Sequence, residues 1–239
     1  GHHVIIIGRN GQAAETLAAK IGGASLELDR AGDLAPLWAM LPVAVVDAAG
    51  PFHAYGGDPY RLAKAAIAQG IHYLDLADDA DFCAGISTLD AEAKAAGVFA
   101  LSGMSSVPAL SSAAVADLAV GADEIDLIES AILPGNRAPR GQAVIDSILY
   151  QAGTDIDVTI DGRAVPVRSW SASKLFALPA GIKRRGYMIR VPDQSLFPDF
   201  FNARSVIFSA GLEVGLMNYG LAAFAWVRQK IGFGIPAWF

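Results

Sequence analysis

With a single cysteine, Cys83, among its 239 residues, the chain can form neither an internal disulfide nor a cysteine-rich metal centre. Its four histidines, His2, His3, His53 and His72, make no HxxxH pair and have no cysteine beside them, so a structural zinc has no support. Basic charge is also sparse. The 18 lysines and arginines are outnumbered by 24 acidic residues, giving a net charge of −6, and they are scattered, which excludes the electrostatic footprint of a nucleic-acid binder. No secretory signal is visible, since the N-terminal apolar run Val4 to Ile7 leads straight into Gly8-Arg9-Asn10. A reducing, cytoplasmic setting is the expectation. No apolar run reaches the roughly 20 residues needed to span a bilayer. The stretch Val214 to Val227, with Leu216, Met217, Tyr219, Leu221, Phe224 and Trp226, falls short of that length and lies between Glu213 and Arg228. It reads as a buried or subunit-interface helix, with attachment to a membrane or lipid surface as the alternative.

A further absence is a glycine-rich phosphate loop ahead of the first strand. What is present is a regular alternation of short apolar runs and helical stretches. Strands are expected at Val4 to Gly8, Ala24 to Leu28, Val43 to Asp47, Ile71 to Asp75 and Val98 to Ser102. Helices are expected at Gln12 to Ile21, Pro59 to Gln69 and Ala80 to Ala96, each stopping at a glycine. This is the pattern of an α/β protein whose Rossmann-like parallel sheet lacks its first βα unit. In such a sheet the second strand ends at the adenosine ribose, where arginine pairs with a 2′-phosphate and an acid favours the free hydroxyl. Arg9 at that tip points to NADP, with NAD the weaker fit. Its plain alternative is an arginine capping a strand in solvent.

After about Val120 the beat changes. Glu124 to Ile132 reads as a strand, Gln142 to Gln151 as a helix, and Val158 to Val165 as a hairpin turning at Asp161-Gly162. Further strands are expected near Ser169 to Phe176 and Ser205 to Phe208, and the proline-rich, basic stretch Leu178 to Asp199 reads as a solvated loop. The resulting division is a dinucleotide-binding domain over 1–120, an α+β substrate or dimerisation domain with a mixed sheet over 121–210, and an apolar helix and tail over 211–239.

Three successive strand ends carry small or polar residues: Asp47-Ala48-Ala49-Gly50-Pro51-Phe52, His72-Tyr73-Leu74-Asp75-Leu76-Ala77-Asp78-Asp79 and Ser102-Gly103-Met104-Ser105-Ser106-Val107-Pro108. Doubly wound sheets bind ligands at this edge. With Gly8-Arg9-Asn10 and Pro134-Gly135-Asn136-Arg137-Ala138-Pro139-Arg140-Gly141, these segments make the chain, from about Gly1 to Leu216, resemble the saccharopine dehydrogenase (saccharopine reductase-like) family of NADP-dependent oxidoreductases. The resemblance implies that Arg9 and Asn10 hold the 2′-phosphate and that Ala49, Gly50 and Pro51 flank the nicotinamide ribose. Asp29 would reach the adenine or simply cap a turn. The family's first strand and glycine-rich loop have no counterpart here. They are expected about 25 residues upstream, the length of one strand-helix unit, and the present residues by themselves are expected to bind NADP weakly or not at all.

Other residues are read on their own chemistry. Ser105 and Ser106 precede a proline suited to a helix's first turn, so their hydroxyls and amides can hold an anion or a nicotinamide carboxamide, or serve as an ordinary N-cap. Arg137 and Arg140 can clamp substrate carboxylates in bidentate fashion, or lie in a solvated loop. Asp78 and Asp79 can supply or orient the proton that must follow hydride transfer to an imine or carbonyl; a helix start capped by aspartate is the competing reading. His72 precedes a strand and is not a candidate acid. The function expected is NADP-dependent hydride transfer at an imine or aldehyde carbon of an amino-acid-like small molecule by a homodimer. The alternative is a non-catalytic nucleotide-responsive or lipid-surface module on the same scaffold.

Overall fold

The computed structural model describes residues 3–138 and 141–232. The chain divides into two compact, interleaved units. One comprises residues 1–49, 57–75 and 86–101, and the other residues 50–56, 76–85 and 102–239. The second unit therefore takes in sheet-end segments that precede residue 120.

The first unit follows the strand-helix alternation of the sequence. β1 (Ile5–Gly8), α1 (Gly11–Ile21), β2 (Ala24–Glu27), the short α2 (Ala35–Trp38), β3 (Ala44–Asp47), α3 (Arg61–Ala68) and β4 (His72–Asp75) come in that order. After α4 (Ala80–Gly85), which belongs to the second unit, α5 (Asp90–Ala96) and β5 (Ala100–Leu101) complete it. All pairings are parallel, in two sheets, β1-β2 and β3-β4-β5. Among the described residues nothing pairs with the second edge of β1 or of β3. α1 starts where Asn10 accepts the Ala13 amide and ends where Gly22, in the left-handed conformation, donates to the Ala18 carbonyl. α3 buries Leu62, Ala63, Ala66 and Ile67, which share one helical face, against Val45 and Tyr73 of the sheet. Each large aliphatic side chain so buried contributes about 1.5–3 kcal/mol.

The expected helix over Ala80 to Ala96 is broken. α4 ends at Gly85, a single 3₁₀ stretch runs over Ile86–Leu89, and α5 restarts at Asp90. Gly85, Ile86, Ser87 and Thr88 are all weak helix formers, and the break falls where the chain leaves one unit for the other. The last strand of this sheet is only the two residues of β5, shorter than Val98 to Ser102.

The second unit is α+β. After α6 (Ser111–Leu118), β6 (Ile125–Ile132), α7 (Gln142–Gln151), β7 (Asp155–Ile160), β8 (Arg163–Arg168), β9 (Ser171–Ala177), β10 (Lys183–Met188), α8 (Pro192–Phe200), β11 (Ala203–Ala210) and α9 (Gly215–Ile231) follow. The mixed sheet runs β8-β7-β11-β10-β9, and β6 lies parallel to β11. β11 is central, with Val206, Phe208 and Ser209 all buried. The β7-β8 hairpin turns with positive φ at Asp161 (49°) and Gly162 (73°), as a type I′ turn requires.

The stretch Leu178 to Asp199 is not a loop. It contains β10, paired antiparallel with β9, and α8, which begins with Pro192 in its first turn. The basic run lies within β10: Arg184 donates to the Leu133 carbonyl at 2.7 Å and to Glu213 at 2.8 Å, and Arg185 to Ser173 at 2.9 Å. These partners are 12 to 51 residues away in sequence, so composition in a local window does not reveal them.

Candidate functional site

In the first unit, Arg9 follows β1 and is exposed, with no hydrogen-bond or ion-pair partner among the described residues. Asn10 is committed to capping α1, its Oδ1 accepting the Ala13 amide at 3.0 Å. Asp29 makes a turn, accepting the Ala31 amide at 2.9 Å. Glu27, at the end of β2, packs against Gly11 in the first turn of α1. A carboxylate suits the positive end of a helix, and no sequence signal had singled it out. At the end of β3, buried Asp47 accepts the Ala49 amide at 3.1 Å and faces Arg30 at 3.3 Å, which fixes the turn leading to Ala49.

The remaining expected site residues described in the structure belong to the second unit. Gly50 has φ +44° and donates its amide to the Tyr55 hydroxyl at 2.9 Å, and the Gly50-Pro51 bond is cis. Phe52, Tyr55 and Phe82 form an aromatic cluster beside it. Ser105 and Ser106 do not cap a regular helix. Ser105 Oγ donates to the Val107 carbonyl at 2.9 Å, Val107 is extended, and the following bond to Pro108 is cis. The tight turn holds because Gly103, at φ +71°, has no Cβ; one would come within 2.3 Å of Pro108. Arg137 is exposed and has no partner among the described residues. Arg140 lies outside the described residues.

Asp78 and Asp79 part company. Asp79 accepts the Phe82 amide at 2.9 Å and so starts α4. Asp78 instead lines a cleft of about 90 Å³ with His53, Ser147, Tyr150 and Arg190. Burial raises the Asp78 carboxyl above the ordinary carboxylate range; its own amide and the Ser147 hydroxyl partly oppose this, Asp79 adds to it and His53 reduces it. The His53 ring stacks on Tyr150 at 4.1 Å between centroids and 11° between planes. Arg190 grips Asp81 with two bonds, at 2.8 and 2.5 Å, and its amide donates to Gln151 Oε1 at 3.1 Å. That pairing holds Asp81 below its usual range. Each buried water takes about 30 Å³, so the cleft admits a few waters or the polar end of a small molecule, not a dinucleotide. A carboxyl raised by burial in such a place can donate a proton.

His53, Ser147, Tyr150 and Arg190 were not anticipated. Ser147 and Tyr150, three apart on α7, are placed on one face by helical spacing. Arg190 falls in the stretch read as a loop.

The parallel sheets of the first unit and the mixed sheet of the second define a Rossmann-like α/β fold joined to an α+β part. Among solved structures it is similar to apo saccharopine dehydrogenase (L-Glu forming) from Saccharomyces cerevisiae, with a TM-score of 0.65 and 17% identity over 96% of this chain. The chain spans about half of that enzyme, 53% of its length. Similarity to a dehydrogenase from Chromobacterium violaceum and to GenD2 of gentamicin A biosynthesis, solved with NAD, is lower, with TM-scores of 0.40 and 0.41. Each is 14% identical over 89% of this chain and 58% of its own. No protein-family model and no curated protein matches the sequence.

Proposed function

We propose that the chain is the core of an NADP-dependent oxidoreductase that transfers hydride to an imine or aldehyde carbon of an amino-acid-like substrate. The observation that carries this reading is Arg9, an exposed guanidinium with no partner among the described residues, at the carboxyl end of β1 in a fold similar to a dehydrogenase. A free arginine at that strand end is what a 2′-phosphate requires. Asn10 would present its backbone there, its side chain being used by α1. Ala49, Gly50 and Pro51 would flank the nicotinamide ribose, Ser105 and Ser106 its carboxamide, and Asp29 the adenine. NADPH would supply the hydride; Asp78, whose carboxyl is raised by burial, would deliver the proton to the reduced nitrogen or oxygen. Arg137 and Arg140 would meet substrate carboxylates.

The test is fluorescence titration of the full-length protein with NADPH and NADH, alongside Arg9→Asp. Tight NADPH binding that weakens in the variant supports the reading; no binding of either nucleotide overturns it.

A second reading, an interaction module, is favoured by α9. Leu216, Tyr219 and Trp226 on it are 80%, 60% and 51% exposed. No described helix is long and apolar enough to cross a membrane; the partners proposed for this stripe are a lipid surface and a second copy of the chain.

A further inference from the structure

Arg190 lies between β10 and α8 and is the only lysine or arginine among the described residues that line the cleft of Asp78. Its backbone is tied down, the amide donating to Gln151 Oε1 at 3.1 Å. Its guanidinium is filled by a carboxylate of the chain itself: Nη1 donates to one oxygen of Asp81 at 2.8 Å and Nη2 to the other at 2.5 Å. Two such bonds to two oxygens are how an arginine holds the carboxylate of a small molecule. Asp81, on α4, is not among the residues that line the cleft, and its side chain is 75% exposed against 36% for Arg190. An ion pair so open to water is held weakly. A carboxylate arriving in the cleft can therefore take the same fork while Asp81 turns into solvent.

We infer that Arg190 is a carboxylate-binding residue of the cleft and that Asp81 occupies it in the absence of ligand. The inference rests on the proposed reduction at this site and assigns the end of the substrate that enters: the head group of an α-amino acid, with its carboxylate on Arg190. A volume of about 90 Å³ suits such a head group and leaves the rest of the ligand outside.

The charges around the cleft favour a zwitterion. Asp78, Asp79 and Asp155 line it, and Asp79 and Asp157 act on the Arg190 charge. Asp79 gives one oxygen to the Phe82 amide at 2.9 Å, and Asp155 one to Gln229 at 3.2 Å. A carboxylate accepts at two oxygens, so both retain capacity for a ligand's ammonium. A ligand carrying both charges adds no net charge to this wall, whereas a bare carboxylate would be repelled by it. An ion pair that only fastens α4 to the start of α8 makes a different forecast. Losing either partner then acts with the same sign; an occupied binding fork responds to its two partners with opposite signs.

The test is an NMR titration of the full chain, followed at the Arg190 backbone amide, with and without saturating NADPH. L-alanine and L-glutamate are added across the millimolar range, with L-alaninamide as the control that lacks a carboxylate. Asp81→Asn should bind the amino acids about two- to fivefold more tightly, the worth of an exposed pair. Arg190→Gln should bind them about tenfold or more weakly, the scale of hydrogen bonds to a charged group. Arg190→Lys, which keeps the charge without the fork, should fall between wild type and Arg190→Gln. Failure of both amino acids to bind, alaninamide binding as tightly as alanine, or an affinity unchanged or lowered in Asp81→Asn overturns the inference. If Arg190→Gln does not fold, the sign of the Asp81→Asn effect decides. Nucleotide binding without amino-acid binding overturns this inference alone; opposite signs at Asp81 and Arg190 without nucleotide binding overturn the hydride-transfer reading alone.

Discussion

Asp78 and Asp79 are adjacent in sequence, yet only Asp79 is spent on starting a helix, which leaves Asp78 in its cleft beside Ser147 and His53. If Asp78 delivers the proton in the proposed reaction, Asp78→Asn lowers the reduction rate by about 10²-fold or more, the scale of general acid catalysis. NADPH affinity stays unchanged; single-turnover rates and nucleotide titration separate the two effects. Because burial raises its carboxyl, wild type keeps the acid form to higher pH than an ordinary aspartate, and the rate should fall as pH rises through that raised value. The variant should lack this limb. A structural residue of comparable weight is Arg228, on α9. Its Nη1 donates to the carbonyls of Leu149, Tyr150 and Ala152 at 3.2, 2.6 and 2.8 Å, capping the end of α7. Arg228→Leu strands these carbonyls and should cost about 2–4 kcal/mol in urea unfolding, since buried acceptors left without a charged donor are expensive. Asp78 was a candidate in the sequence, but the role of Arg228 was not legible there: it merely bounds an apolar run, and its partners are 76 to 79 residues away.

Elements were legible where the signal is local. Glycine stops ended α1 and α5 where expected, and Gln142–Gln151 is helical as read. Asp161-Gly162 makes its turn because both residues tolerate positive φ. The failures share a cause. β10 is held by pairing with β9 and by distant partners of Arg184 and Arg185, and the break after Gly85 falls where the chain changes unit. The turn at 103–110 shows the same limit, since Pro108 looked like a helix start but instead fills the space a side chain at Gly103 would need. Gly103→Ala should therefore destabilise by more than about 2 kcal/mol in thermal unfolding, combining a clash with positive-φ strain. At Gly57, where φ is ordinary and an added methyl group would meet nothing within 4 Å, alanine should change stability by no more than about 0.5 kcal/mol.

Two features belong to the molecule as a whole. Among the described residues the second edges of β1 and β3 have no paired strand, with Ile7 and Val46 exposed on these strands, where a doubly wound sheet would place another parallel strand. The alternation of apolar runs announced these strands, but only pairing shows which edges are left open. The second feature is the stripe Leu216, Tyr219 and Trp226, spaced three and seven residues apart on α9. In water such a stripe is stabilised by cover, and helices that present apolar residues at this spacing pack side by side. If the cover is a second copy, wild type sediments as a dimer, and Leu216→Glu with Trp226→Glu shifts it to monomer. The double variant should keep its thermal midpoint measured at low protein concentration, because neither side chain is buried within its own chain. A wild-type monomer, or a dimer unmoved by two carboxylates placed on this face, would assign the interface elsewhere.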